Sequence, residues 1–173
     1  MTELIRKIAF LVDKKELDFL NEACLYGANA DKNLEKAVKE GGNVFTKDVR
    51  RKICLPSSKS LFNFAKVIIK TFGFYFDHCF GYYDNFQRYH DSKKAYELFV
   101  DIGEETSSPT IKGVKKTQIR QVFQNPGDKM LFLFDYGDGW RFGIELIDVK
   151  YIDKWNLDPV VLKSIGGAPG NVL

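Results

Sequence analysis

Cysteine is scarce and badly placed for any framework. The chain has three, Cys24, Cys54 and Cys79, an odd number with no Cys-x-x-Cys pair. Neither a disulfide scaffold nor a zinc knuckle follows from that spacing, and a reducing, cytoplasmic setting fits best. Long apolar runs are missing too. No stretch approaches the roughly 20 apolar residues of a membrane span, so no membrane partner is expected. The start, Met1-Thr-Glu-Leu-Ile-Arg-Lys7, lacks a signal-peptide pattern. Also absent are a Gly-x-x-x-x-Gly-Lys-Ser/Thr phosphate loop, a Gly-x-Ser-x-Gly elbow and a strand–glycine–helix dinucleotide fingerprint. These absences set aside the common nucleotide-hydrolysing, α/β-hydrolase and dinucleotide-binding classes.

Aromatic side chains are plentiful. Fifteen Phe and eight Tyr in 173 residues, with 45% hydrophobic content, permit a large aromatic core in one domain or one domain with an appendage. The net charge of +3 decides little, whereas its distribution is informative. Residues 46–70 carry seven Lys/Arg against one Asp, and 110–129 five against one; 71–105 and 130–158 are acidic. Either these blocks are solvated faces pairing with one another, or Arg50, Arg51, Lys52, Lys115 and Lys116 with neighbouring lysines form a patch that meets phosphate.

The densest signal is Lys129 to Leu146. Phe132, Phe134 and Tyr136 alternate before a Gly-rich knot, and Trp140, Phe142, Ile144 and Leu146 alternate after it, which predicts a hairpin with Asp138-Gly139 as a tight turn. Asn125-Pro-Gly-Asp128 is a turn leading into it. Residues 44–55 read as a strand stopped by Pro56. A helix follows, capped by Ser57 or Ser58, with Leu61, Phe64, Ala65, Ile68 and Phe72 at helical spacing and Gly73 as its end. Residues 74–86 predict strand plus turn, 96–100 a strand, and Thr117 the cap of a short helix through Phe123. Upstream, Leu4, Ile5, Ile8, Leu11 and Val12 fall on one helical stripe, so residues 1–45 read as a helical extension. Together these predict an α+β fold, a curved and largely antiparallel sheet with packed helices, occupying residues 46–173.

Four stretches in order resemble one family: Val49-Arg-Arg-Lys-Ile-Cys-Leu-Pro56, Phe72 to Asn85 with its Asp77-His78, Phe134-Asp-Tyr-Gly-Asp-Gly-Trp-Arg-Phe142, and Ser164-Ile-Gly-Gly-Ala-Pro169. In this order they are similar to the plasmid pRiA4b ORF-3-like family, whose members are often labelled insertion-element passenger, TnpR-like proteins. The usual first strand, ending Pro-Pro-Ile-Trp-Arg-Arg, is not apparent apart from Arg50-Arg51. The resemblance implies a fold and a link to plasmids and mobile elements rather than a reaction.

Two constellations are candidates for chemistry. Asp77, His78, Asp135 and Asp138, with Asp84 nearby, are the residue types of a divalent-metal site or of general acid–base work, with His78, Asp135 and Asp138 the candidate ligands. Against this, Asp135 and Asp138 suit the backbone amides of a turn, and His78 suits packing among Phe74, Phe76 and Phe80. Trp140-Arg141 beside Tyr82, Tyr83, Phe86 and Tyr89 offers a stacking surface or plain cross-strand packing. The leading expectation is a non-catalytic cytoplasmic binding module for nucleic acid or protein, without a cofactor. The alternatives are a metal-dependent hydrolase on the Asp/His cluster and a structural subunit of an oligomer.

Overall fold

The computed structural model describes residues 5–14, 49–152 and 158–167. Among them, eight strands form one open sheet in the order β5-β4-β3-β6-β7-β1-β2-β8. The strands are β1 (Ile5–Lys14), β2 (Arg50–Pro56), β3 (Phe80–Tyr83), β4 (Ala95–Glu97), β5 (Lys112–Gly113), β6 (Lys129–Phe134), β7 (Trp140–Ile152) and β8 (Val160–Ile165). Every neighbouring pair is antiparallel except β4 with β5. The helices are α1 (Leu61–Thr71), α2 (Leu98–Ile102) and α3 (Ile119–Val122), with a 3-10 turn at Tyr89–Asp91. The α+β class expected from the sequence is therefore the observed one.

The helical stripe read at the N-terminus is a strand instead. β1 lies between β7 and β2 and is hydrogen-bonded to both. Spacing alone does not separate the two readings over so short a run, and pairing along both edges makes it a strand. The upstream strand that the family resemblance left missing before Arg50-Arg51 is supplied by β1, and it belongs to the same sheet as the rest. The further helices read across residues 15–45 lie outside the described residues, as do Trp155 and Pro169.

The sheet curves because two pairings skip a residue. Ala9 pairs with Asp148 but Phe10 with Leu146, leaving Ile147 as an extra residue on β7. Lys52 pairs with Lys163 but Ile53 with Val161, leaving Leu162 extra on β8. Such bulges bend the strand and increase its twist.

Helix α1 follows from its spacing and its cap. The Ser60 side chain accepts a 3.2 Å bond from the Asn63 amide, so the cap is Ser60 rather than Ser57 or Ser58. Lys70 sits in the last turn, where a cation complements the helix dipole. Leu61, Phe64, Ala65, Ile68 and Ile69 are buried against one face of the sheet. There Phe80, Tyr82, Phe132 and Phe142 meet them, with ring centroids 4.9 Å apart for Tyr82–Phe132 and also for Phe72–Phe142. Each such pair adds about 0.5–1.5 kcal/mol beyond the area it buries.

The predicted hairpin is present, with Phe134 opposite Trp140 as the last pair. Its connection is the five residues Asp135–Gly139 rather than a two-residue turn on Asp138-Gly139. The Gly139 amide returns to the Asp135 carbonyl at 2.6 Å, and both residues are left-handed, at φ 56° for Asp135 and 68° for Gly139. At the other end of β6, the Asp128 carboxylate accepts the amides of Gln124 and Asn125, and closes the turn that the Asn-Pro-Gly-Asp string predicted. Residues 96–100 divide between β4 and α2 instead of forming one strand. For α3 the cap is Gln118, in a reciprocal pair with Gln121, while the Thr117 hydroxyl turns back to the Gly113 carbonyl at 2.6 Å. Among the described residues no helix is long and apolar enough to cross a membrane.

Candidate functional site

The Asp135 backbone links the hairpin turn to the segment preceding β3. Its amide donates to the Cys79 carbonyl at 3.0 Å, which sets the turn beside Asp77 and His78. One carboxylate oxygen of Asp135 accepts the amides of Gly137 and Asp138 at 3.0 and 3.3 Å. This is the turn-stabilising role that a left-handed Asp fills. The other oxygen lies 3.5 Å from His78 Nε2, while His78 Nδ1 is bonded to Asp77 at 2.7 Å. One oxygen of Asp135 thus holds the turn, and the other lies beside His78.

The imidazole is half exposed and packs edge-on to Phe134, with centroids 6.0 Å apart. Its pKa is raised. The Asp77 hydrogen bond contributes most, partial burial opposes it, and the charges of Asp135, Asp77 and Asp138 add to the rise. Asp138 acts on the ring through its charge alone. The arrangement is an imidazole held between two carboxylates, which favours its protonated form. As a metal seat it offers His78 Nε2 and one Asp135 oxygen. Among the described residues no group of three or more His, Cys, Asp or Glu is positioned to hold an ion.

The basic residues singled out in the sequence do not converge. Arg51 points inward with Ile53 and Leu55, and is 4% exposed. Its guanidinium donates to the carbonyls of Thr71, Arg50, Ile165 and Gly166, and stands 4.9 Å over the Phe72 ring. Burial lowers its pKa. Arg51 therefore joins the C-terminal end of α1 to β8 and is not available to phosphate. The signal was present in the sequence, since Arg51 shares its strand parity with Ile53 and Leu55. Arg50 and Lys52 take the opposite parity and point to the other face. Lys115 and Lys116 are exposed near the first turn of α1, where Phe62 and Leu61 donate to Val114 and Thr117 carbonyls. Eleven residues of helix put that turn roughly 15 Å from Arg51.

Trp140 and Arg141 do not share a surface either. Neighbours in a strand face opposite ways. Trp140 packs 4.7 Å from Phe74 at the margin of the core, and Arg141 is partly exposed on the reverse face. Tyr82 is buried, and its hydroxyl donates to the Leu61 carbonyl. What forms instead is a cluster with two residues not foreseen, Phe62 and Lys66. Lys66 Nζ lies 4.8 Å from the Phe62 ring and 5.8 Å from Phe76, and Lys115 Nζ lies 5.7 Å from Phe62. The spacing of Phe62 and Lys66, one helical turn apart, is the signal that identifies it.

A second group was missed entirely. On the sheet face away from α1, the Tyr83 hydroxyl donates to Glu97 Oε1 at 2.6 Å and lies 2.7 Å from the Tyr136 hydroxyl. Tyr83 has one proton to give and a carboxylate only accepts, so Tyr136 is the donor in the second bond. Burial holds both phenols well above the ordinary tyrosine range. Gly81 lies beneath them, and a Cβ there would meet the Tyr83 and Tyr136 oxygens at 2.6 and 2.7 Å.

An open, bulged sheet with a single long helix on one face, and a hairpin turn fastened to an Asp-His segment, defines a compact class of α+β domain. This chain belongs to the plasmid pRiA4b ORF-3-like protein family, whose sequence profile matches residues 43–171. Its fold is similar to the crystal structure of a protein of unknown function from Methanosarcina mazei Go1. That likeness has a TM-score of 0.63 at 13% identity, over 94% of this chain and 71% of the other. At that identity the likeness is one of fold. No curated protein sequence matches the chain.

Proposed function

We propose that the protein is a binding module that holds a nucleic-acid backbone across the first two turns of α1 and the segment from Lys112 to Arg120. The observation that carries this reading is the Phe62–Lys66–Lys115 cluster, in which two ammonium groups lie over an incompletely buried ring. Rings beside cations stack bases while the cations neutralise phosphates. Lys116 and Arg120 are exposed on the same segment and extend the positive surface. Tyr75, 67% exposed near Phe76, offers a second ring. Fluorescence anisotropy with single- and double-stranded oligonucleotides over a salt series tests it. Affinity is expected to fall steeply with salt, and the Lys66→Ala/Lys115→Ala double variant to lower the salt slope by about two. Equal affinity of the variant and the parent at low salt removes the proposal.

The contact of His78 with Asp77 and Asp135 favours a second reading, a metal-assisted or acid–base hydrolase. It predicts that chelator-treated protein gains thermal stability from one divalent metal and that His78→Ala does not. A flat response across the metal series counts against its metal form.

A further inference from the structure

The cluster around Glu97 opens onto a small, half-enclosed pocket on the sheet face away from α1, remote from the proposed nucleic-acid surface. Its free volume is about 30 Å³, and its lining includes Tyr83, Tyr89, Ser92, Glu97, Ser108 and Thr110. Glu97 is 7% exposed. Its Oε1 accepts the Tyr83 hydroxyl, and its Oε2 takes no hydrogen bond among the described residues. A buried carboxylate oxygen left without a donor costs about 1–3 kcal/mol or more, so such oxygens are ordinarily satisfied. Among the described residues no donor satisfies this one.

We infer that the pocket takes the head of a primary aliphatic amine, its ammonium group bonded to Glu97. Three features select that chemistry. The unbonded oxygen is an acceptor, the hydroxyls of Ser92, Ser108 and Thr110, already bonded within their own loops, each keep a lone pair, and an ammonium head carries three donors in a compact group. Tyr83 and Tyr89, with ring centroids 4.9 Å apart, add aromatic faces to a cation. The volume is roughly two to three times the least that one water needs, room for one compact head group, and a quaternary head brings no N–H donor to the acceptors. Tyr136 and Tyr83 form a relay that holds Oε1 in place, so only Oε2 is presented. The amine is either the end of a small diamine or a lysine side chain of a peptide, because the two share this head.

The test is a thermal-shift titration of the full chain with methylammonium chloride against sodium chloride at equal ionic strength. Potassium and tetramethylammonium chlorides are run as controls, followed by 1,4-diaminobutane and a lysine capped at both ends. Methylammonium is expected to raise Tm by about 3–6 °C at ten times its dissociation constant, with tetramethylammonium inert. Glu97→Gln and Ser107→Phe, which places a ring on the pocket wall and leaves every charge, should both abolish the rise. If Glu97→Gln does not fold, Ser107→Phe decides. A stronger response to the diamine or to the capped lysine identifies the source of the amine. No rise above sodium chloride, an equal rise with potassium, or an unchanged rise in Ser107→Phe overturns the assignment.

Discussion

The two faces of the sheet are built on different principles. The face under α1 is filled with hydrocarbon, and its largest side chains, Phe64, Phe72, Phe80, Phe132 and Phe142, are sealed from solvent. The reverse face has a small cluster of Tyr83, Leu131 and Leu133, and beside it a carboxylate bonded to the Tyr83 phenol, which is in turn bonded to that of Tyr136. Hydrophobic burial gives stability without regard to direction, whereas a buried polar group is costly unless each atom finds a partner. The first face is therefore where the fold is held together. The second retains polar groups that stability alone does not demand.

Four substitutions test this contrast, from the most to the least disruptive. Phe132→Ala removes a ring from the centre of the α1 face and is expected to cost about 3–5 kcal/mol in urea unfolding. If it costs less than 1 kcal/mol, the division of labour between the faces fails. Arg51→Ala leaves several carbonyls at the margin of that face without their donor, and is expected to cost about 2–3 kcal/mol. Its nucleic-acid affinity, measured on the folded fraction, should stay within about twofold of the parent; a tenfold loss would return Arg51 to the binding surface. Tyr83→Phe on the reverse face removes the proton given to Glu97, at a cost of about 1–2 kcal/mol. The smallest effect concerns His78. Its folded pKa lies above the ordinary 6.5, so the protonated ring favours the folded state. That contribution is whole below the unfolded pKa and is lost as pH rises through the folded one. Proton NMR should show the His78 midpoint falling in Asp77→Asn, and an unchanged midpoint would remove Asp77 as the main cause.

The difference between the faces was only half legible in the sequence. Period and parity revealed the helix on Leu61, Phe64, Ala65 and Ile68 and the hairpin strands around Phe132 and Phe142, because local spacing reports which residues share a face. Side chains brought together by strand pairing leave no local trace. Gly81 stands opposite Glu97 on one side and Leu133 on the other, and Tyr136 reaches over from a turn more than fifty residues downstream. The contact of His78 with Asp135 is of the same kind. The family motifs brought both into view, and only the fastening of the Asp135 amide to Cys79 sets their distance. Arg51 was misassigned for a different reason. Three consecutive cations drew attention to charge, while strand parity already sent the middle one inward.

The position of β1 governs the order in which the molecule can be completed. Ile5 pairs with Ile152, far along the chain from it. A growing chain can form α1 and the β6–β7 hairpin from neighbouring sequence, but the gap between β7 and β2 waits for the far end of β7 to emerge. Until then β1 has β2 to pair with, and its other side is an open strand edge of the kind that invites misassociation.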